Sequence, residues 1–381
     1  MRVLHVLEAT LGGARQYVRD IVTASPFIGA DVALAYSMLR ADSGFKQTLE
    51  RAEAAGWYLI PVPMKREISP TDDIMAIANV RGIIRRWKPD VIHGHSSKGG
   101  GVARIAARLV RGGPATVYSP HAIAANISRR YLALEKLCAP LTTLYGAVSD
   151  SELQELVDLL SIAPERVRVV YPSLDPGRLR VRDRSDARRE LGLPDGEMIL
   201  GVGRLADQKN PLAFIDLVAK VRAERPTAYA IWVGDGELRG RVEAEATSHG
   251  LANAVRVVGW TDRVPSYIAA ADVIVSTARY ESFGYVVAEA LAMERPVVAT
   301  RITGTTDVMS GALSAYTYQP GNLGQGAVLV RSLLENPARA AAVAAAASEQ
   351  VRRAFSEQRM GAALLQMYTD AIAIRNRGGV A

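Results

Sequence analysis

Thirteen short apolar runs, each separated from the next by a segment long enough for an amphipathic helix, recur through the whole chain. That alternation is the pattern of repeated strand, helix, strand units. In the first half the runs are 2–7, 31–36, 57–62, 91–93, 116–119, 144–148 and 167–171. A second series follows at 198–202, 228–233, 255–258, 273–276, 296–300 and 315–318. Each run is nearly continuous in apolar residues, which marks strands buried on both faces of a parallel sheet. The expected class is therefore α/β, with two doubly wound parallel-sheet domains in tandem. Turn chemistry in Tyr171-Pro172-Ser173-Leu174-Asp175-Pro176-Gly177 places the boundary, giving domains at 1–175 and 191–355 joined by an Arg-rich linker at 176–190. Folds of this type bind ligands at the carboxyl ends of their strands, here expected to surround one cleft.

The length of 381 residues fits two or three domains. With 49 % hydrophobic and 22 % charged residues, the composition excludes a disordered, collagen-like or coiled-coil chain. One cysteine, Cys138, closes no intrachain disulfide and builds no thiolate metal site, which points to a reducing cytoplasm. The opening apolar run is broken by His5 and Glu8 and is too short for a signal peptide, and no run reaches the length of a membrane span. The net charge of +7 is uneven: residues 1–175 hold 21 basic and 17 acidic side chains, and 191–381 hold 19 of each. A basic first half suits an anionic partner such as phospholipid or a phosphorylated acceptor; a solvated Arg-rich surface is the plainer reading. No zinc-finger spacing or RNA-binding aromatic signature accompanies the charge, so nucleic acid is not expected.

Two segments of the second half carry chemistry. The run 198–202 ends in Gly203-Arg204, with Lys209 five residues on, so Arg204 and Lys209 are expected together near a helix start, where two cations suit a diphosphate. After the run 273–276 comes Tyr280-Glu281-Ser282-Phe283-Gly284-Tyr285, with Glu281 in the loop and Glu289 in the following helix. Their offset is slightly over two helical turns, which lets both carboxylates reach different parts of one extended ligand. Ser282, Phe283 and Gly284 would open that helix with backbone N–H groups toward the site. Glu289 stands among Val286, Val287, Ala288, Ala290 and Leu291, and a carboxylate inside such a run is usually paired or bound.

These residues resemble the retaining family 4 glycosyltransferases of the GT-B fold (glycosyl transferases group 1), whose signature is two glutamates separated by seven residues. Similar too are Gly201-Val202-Gly203-Arg204 with Lys209-Asn210-Pro211, the turn Gly234-Asp235-Gly236-Glu237, the run 267–273, and, in the first half, Gly12-Gly13 and Pro89-Asp90-Val91-Ile92-His93-Gly94-His95. The resemblance implies two Rossmann-like domains and a terminal segment, 356–381, that returns to the first of them. It implies that Arg204 and Lys209 bind the diphosphate of a nucleotide sugar, UDP- or GDP-linked. Glu281 would take the sugar hydroxyls, with Ser282, Phe283 and Gly284 beside it, and Glu289 the ribose hydroxyls. This chain departs from the family pattern at Ser173-Leu174-Asp175, at Thr303-Gly304-Thr305-Thr306-Asp307, and at Glu294, where a glycine is usual.

In the first half, Gly12 and Gly13 follow the first strand, where residues without Cβ admit a phosphate or sugar to the backbone; an ordinary tight turn explains them equally. His121 follows the run 116–119 and so emerges at the carboxyl edge; by resemblance it lies by the anomeric centre of the donor sugar. His93 and His95 share a strand face, but with no third ligand in view they read as structural. Lys98-Gly99-Gly100-Gly101 reads as a glycine-rich helix start able to cradle an anion, although it lacks a phosphate-loop signature. The segment 80–88 is basic with an apolar stripe: a sheet-covering helix, or one lying on an anionic bilayer.

No Asp-x-Asp pair suited to a divalent ion stands at a strand end, so neither metal nor other cofactor is expected, and Arg204 and Lys209 would stabilise the leaving diphosphate. The expected activity is retaining transfer from a nucleotide sugar to a glycan, lipid-linked or small acceptor in bacterial surface polysaccharide synthesis, with peripheral membrane contact at the inner face. An epimerase or phosphorylase on the same fold, and a non-catalytic sugar-nucleotide-binding subunit, are the alternatives.

Overall fold

The computed structural model describes residues 1–122 and 129–378 of the chain. They form two units, Met1–Ser173 with the segment from Phe355 onward, and Leu174–Ala354. The first contains β1 (Arg2–Leu7), β2 (Asp31–Tyr36), β3 (Tyr58–Pro61), β4 (Val91–His95), β5 (Ala115–Ser119), β6 (Leu144–Ala147) and β7 (Val167–Val169), in the order 3-2-1-4-5-6-7. The second contains β8 (Met198–Val202), β9 (Tyr229–Val233), β10 (Val255–Gly259), β11 (Val273–Ser276), β12 (Val297–Thr300) and β13 (Thr317–Tyr318), in the order 10-9-8-11-12-13. Every pairing between these strands is parallel. Central strands β4, β5, β6 and β12 are buried at every position, because helices cover both sheet faces.

Each of the thirteen apolar runs contains a strand, and the differences lie at the ends. β4 continues past His93 to His95 because Gly94 and His95 pair with Tyr118 and Ser119. β13 is two residues long, since Ala315 and Tyr316 belong to the 3-10 turn Gly311–Tyr316. The Arg-rich stretch after Pro176 includes the helix Arg184–Leu191, which the second unit holds through Arg188, whose Nε donates to the carbonyl of Ala270 (3.0 Å).

The glycine-rich helix start has a packing role in place of the expected anion cradle. In the helix Ser96–Arg108, a Cβ on Gly99 would lie 2.6 Å from the carbonyl oxygen of Val6, and one on Gly100 would lie 2.2 Å from the ring of Tyr118. Lys98 is engaged by Asp73 (2.6 Å). The basic segment 80–88 closes the helix Pro70–Trp87, which buries Val80, Ile83 and Ile84 in the first unit's core and leaves Arg85 and Arg86 exposed. Its apolar stripe is thus spent on the sheet. The last helix, Glu357–Gly378, buries Met360, Leu364, Met367 and Tyr368 in the first unit. Among the described residues no helix is long and apolar enough to cross a membrane.

Glu294 shows why a glycine is usual at its position. The helix Tyr285–Ala292 ends in a Schellman motif, with Arg295 N–H donating to Ala290 O (2.9 Å) and Glu294 N–H to Leu291 O (3.0 Å). Glu294 occupies the left-handed position, at φ 56°, which costs an L residue about 1–2 kcal/mol. The change Glu294→Gly therefore raises stability, by about 0.5–1 kcal/mol once the entropy lost by glycine on folding is deducted, measured as a higher urea midpoint at unchanged m.

Candidate active site

In the second unit the strand order reverses between β8 and β11, which lie side by side, and the segments leaving their carboxyl ends carry the candidate residues. From β8 the chain passes Gly203 and Arg204, makes the 3-10 turn Asp207–Lys209, and enters the helix Pro211–Arg222 with proline in its first turn. From β11 it runs through Glu281 to Gly284, which caps the helix Tyr285–Ala292 at φ 86°. The two segments are tied together directly. Thr277 Oγ1 donates to the carbonyl of Asn210 (2.9 Å), and the Arg279 N–H to that of Gln208 (2.8 Å).

Across this junction the Lys209 ammonium pairs with the Glu281 carboxylate, both partly buried. The lysine stem lies along Gly203, where a Cβ would stand 3.0 Å from it. Arg204 takes a different partner: its exposed guanidinium meets Glu237, beyond β9, at 2.9 Å. Each of the two cations is matched to its own carboxylate. In the turn 234–237, Asp235 pairs with Arg239 (3.0 Å) while Glu237 holds Arg204, so both acidic groups are in ion pairs.

Glu289 is only 4 % exposed and accepts a hydrogen bond from Arg178 Nη1 at 2.9 Å. A buried carboxylate needs such a partner, and the sequence did not supply it, because the two residues are 111 positions apart. The Arg-rich stretch that contains Arg178 was the available signal. Phe283 is buried, with its ring edge-on to Tyr285 at 5.2 Å, and Ser282 is half-buried beside it. Gly304, after β12, presses against the same loop. A Cβ there would come within 2.7 Å of both the Glu281 carbonyl oxygen and the Phe283 nitrogen, and its φ is 76°.

In the first unit the order reverses between β1 and β4. Gly12 (φ 72°) and Gly13 begin the helix Gly12–Ala24 and are exposed; a Cβ on either would meet no atom of the described residues within 4 Å. His121, half-buried with φ 61°, follows β5, and its Nε2 lies 3.0 Å from Nδ1 of His95. Its ring also lies 4.7 Å from that of Tyr17. The stretch immediately after Ala122 lies outside the described residues.

His93 and His95 do have a third imidazole beside them, contrary to expectation. Parallel pairing sets His5 of β1 level with His93 of β4, and nitrogens of His5, His93 and His95 lie within 4.8 Å of one another, all three rings buried. Hydrogen bonds already occupy most of those nitrogens. His5 Nδ1 meets His95 Nε2 (2.9 Å), His93 Nδ1 meets Tyr368 Oη (2.9 Å), and His93 Nε2 meets Ser119 Oγ (2.9 Å). Burial lowers the pKa of His5 and of His121 to about 3, and holds His93 and His95 well below the ordinary imidazole value, so all four are neutral near pH 7. On β6's carboxyl side, Glu152 is fully buried, with Oε2 accepting the Val148 N–H (2.8 Å), and burial raises its pKa to about 8.

Residues 183–350 match the family described as Glycosyl transferases group 1, and residues 11–178 match Glycosyltransferase Family 4. The chain is 31 % identical over 314 residues to a D-inositol 3-phosphate glycosyltransferase of Acidothermus cellulolyticus, covering 75 % of this chain and 68 % of that protein. It is 28 % identical over 264 residues to the UDP-Gal:alpha-D-GlcNAc-diphosphoundecaprenol alpha-1,3-galactosyltransferase of Escherichia coli, covering 66 % and 68 %. Among solved structures, Anabaena Alr3699/HepE in complex with UDP and glucose superposes with a TM-score of 0.83 at 22 % identity, covering 97 % of this chain and 99 % of that one.

Two outcomes follow from these geometries. The buried imidazoles of His5, His93 and His95 and the half-buried one of His121 take up protons on unfolding, so their contribution to stability is present above about pH 6.5 and is lost as pH falls toward 3. Glu152 acts in the opposite sense between its ordinary value of 4.5 and about 8, but it is one group against four. Stability should peak near pH 6.5 and fall steeply on the acid side, and His5→Phe should reduce that acid slope by about 1.4 kcal/mol per pH unit, read from urea unfolding at several pH values. Gly304→Ala, forced to move the Glu281 loop, should destabilise the chain by about 1–2 kcal/mol, measured by urea unfolding.

Proposed function

Because the chain belongs to the group 1 glycosyltransferases, and is therefore a glycosyltransferase, we propose that it transfers a sugar from a nucleoside diphosphate to an acceptor hydroxyl with retention at the anomeric carbon. The observation that carries this reading is the Lys209–Glu281 pair, set between the segments leaving β8 and β11 where the strand order reverses. Breaking a sugar–phosphate bond builds negative charge on the departing diphosphate and positive character on the sugar. Lys209 supplies a cation fixed by its contact with Gly203, and Arg204, exposed on its pair with Glu237, supplies a second that can turn toward phosphate. Binding of the diphosphate draws Lys209 from Glu281 and leaves that carboxylate to accept sugar hydroxyls. Glu289, aimed by Arg178, receives the ribose hydroxyls. The resemblance assigns His121 a role at the anomeric centre, and its lowered pKa keeps it neutral near pH 7.

A UDP-linked donor is supported by the UDP bound to HepE and by the UDP-Gal in the name of the Escherichia coli relative. A diphosphate-lipid acceptor, as in that relative's name, suits the basic first half and a place at the inner face of a bacterial membrane in surface polysaccharide synthesis. The transfer proceeds without a divalent ion, its charge met by Lys209 and Arg204 while Asp235 and Glu237 are held in ion pairs. The direct test is a melting-temperature screen against UDP-glucose, UDP-galactose, UDP-N-acetylglucosamine and GDP-mannose, followed by turnover of the hit. One of these should raise the melting temperature saturably, Lys209→Ala should lower turnover by roughly 10²–10³-fold, and chelator should leave the rate unchanged. Absence of saturable binding to all four, or full activity in the Lys209 variant, would sink the proposal.

A further inference from the structure

In the first unit, the helix Pro70–Trp87 packs Ala76, Val80, Ile83 and Ile84 into the core beneath it. Its opposite side is exposed. Ile74, Ala78 and Arg85 stand in line at i, i+4 and i+11, with Met75 and Arg86 one step round the helix. Ile74 is 67 % and Met75 62 % exposed, and large apolar side chains grouped on a face that continues into cations are not the scattered ones of an ordinary surface. Residues 74–88 contain four basic side chains and no acidic one. The carboxylates of the first turn, Asp72 and Asp73, are taken by Lys65 (2.8 Å) and Lys98 (2.6 Å). Arg85, Arg86 and Lys88 meet no carboxylate among the described residues. The helix dipole favours cations in a last turn, but it does not call for the apolar residues beside them.

Between the end of this helix and β3 runs a groove of about 490 Å³, walled by Tyr58, Ile60, Ile83 and Trp87 with Arg86 at its side. Its volume is that of a small-ligand site, and the charged residue that lines it is a cation. Because β3 is the last strand of its sheet, the groove opens sideways. Tyr58 is exposed there, and Trp87 is half-buried with its carbonyl accepting from Arg2 Nη1 (2.9 Å).

We propose that the outward face of the helix Pro70–Trp87, with the groove beside it, docks on an anionic phospholipid bilayer. At a bilayer surface, phosphates and the ends of acyl chains lie within a few ångströms of each other, so a helix lying there carries apolar and cationic groups along one face. Ile74 and Met75 enter the acyl boundary, Arg85, Arg86 and Lys88 meet lipid phosphates, and Tyr58 and Trp87 sit at headgroup level. A protein partner would call for an apolar centre with charge kept to the rim, which this face lacks. A second copy related by a two-fold axis would set the three cations against their own counterparts. The helix leaves β3 and leads into β4, parallel strands of one sheet, so its Ile74 end lies at the carboxyl edge, the edge that also carries His95 and His121. The inference deepens the reading of a membrane-borne acceptor given above, on which its purpose rests, by naming the surface that meets the membrane.

Co-sedimentation of the whole chain with vesicles, without donor or acceptor, tests this apart from transfer. Vesicles of phosphatidylcholine and phosphatidylglycerol in equal parts should bind the protein, and vesicles of phosphatidylcholine alone should not. Arg85→Gln, Arg86→Gln and Lys88→Gln together should lower binding to the mixed vesicles by roughly 100-fold. Ile74→Ser with Met75→Ser, which leaves every charge in place, should lower it by at least roughly tenfold. Lys220→Gln, Arg241→Gln and Arg256→Gln, which remove three exposed cations of the second unit, should change little. Equal losses in the two triple variants would mean general adsorption of a basic protein and overturn the proposal. So would the absence of binding to mixed vesicles, or full binding by the Ile74 and Met75 variant. A dimer in sedimentation equilibrium that the Arg85, Arg86 and Lys88 changes dissociate would assign the face to a second copy and overturn it as well. The substituted side chains are exposed, so each variant should keep the parent's urea midpoint, which guards against loss of fold. Failure to turn over any nucleotide sugar would leave vesicle binding intact, and failure to bind vesicles would leave the transfer reaction standing.

Discussion

The ion pair between Lys209 and Glu281 joins two loops that come from strands separated by some seventy residues of chain but adjacent in the sheet. Its geometry depends on everything beneath it: on β8 and β11 being neighbours, on Thr277 and Arg279 anchoring the backbone of the lysine segment, and on Gly304 holding the glutamate loop from the far side. A lysine beside a carboxylate is fixed in direction before any ligand arrives. That arrangement limits the side-chain entropy to be lost when an anion takes the place of the carboxylate. Glu289 and Arg178 repeat the logic at greater depth, with the carboxylate nearly sealed from solvent.

Much of this was legible in the sequence because parallel sheets announce themselves. A strand covered on both faces has few positions for polar residues, so its run of apolar residues survives whatever the loops do, and all thirteen runs contain strands. Glu289 was legible for a related reason: a carboxylate embedded in a stretch such as Val286 to Leu291 conflicts with its surroundings unless it has a partner. The partner itself was not legible. Nothing local connects Arg178 to Glu289, and only the fold brings them together. His5 escaped notice in the same way, since its place beside His93 follows from β1 lying next to β4, which is a property of strand order and not of either segment. The end of the last strand failed for a local reason, as Ala315 and Tyr316 are as apolar as strand residues but are wound into a 3-10 turn.

The first unit places neutral imidazoles within β1 and β4, at His5 and His93, and at the carboxyl ends of β4 and β5, at His95 and His121. Their burial gives up stability in acid. In return it provides hydrogen-bonding groups that carry no charge, so they can sit among Tyr17, Trp57 and Tyr368 without the desolvation cost of an ionised residue. Tyr368 matters here beyond its packing, because its hydroxyl satisfies His93 from a helix near the end of the chain.

That contribution from the final helix bears on how the protein is made. Ribosomes release the first 173 residues long before the segment that carries Met360, Leu364, Met367 and Tyr368 has been translated. Until then the nascent amino-terminal half has an uncovered greasy face and a histidine awaiting its hydroxyl, while the intervening half, continuous in the chain, can mature independently. Chaperones that shield such surfaces would find their client here in the part synthesised first, which is also the part completed last.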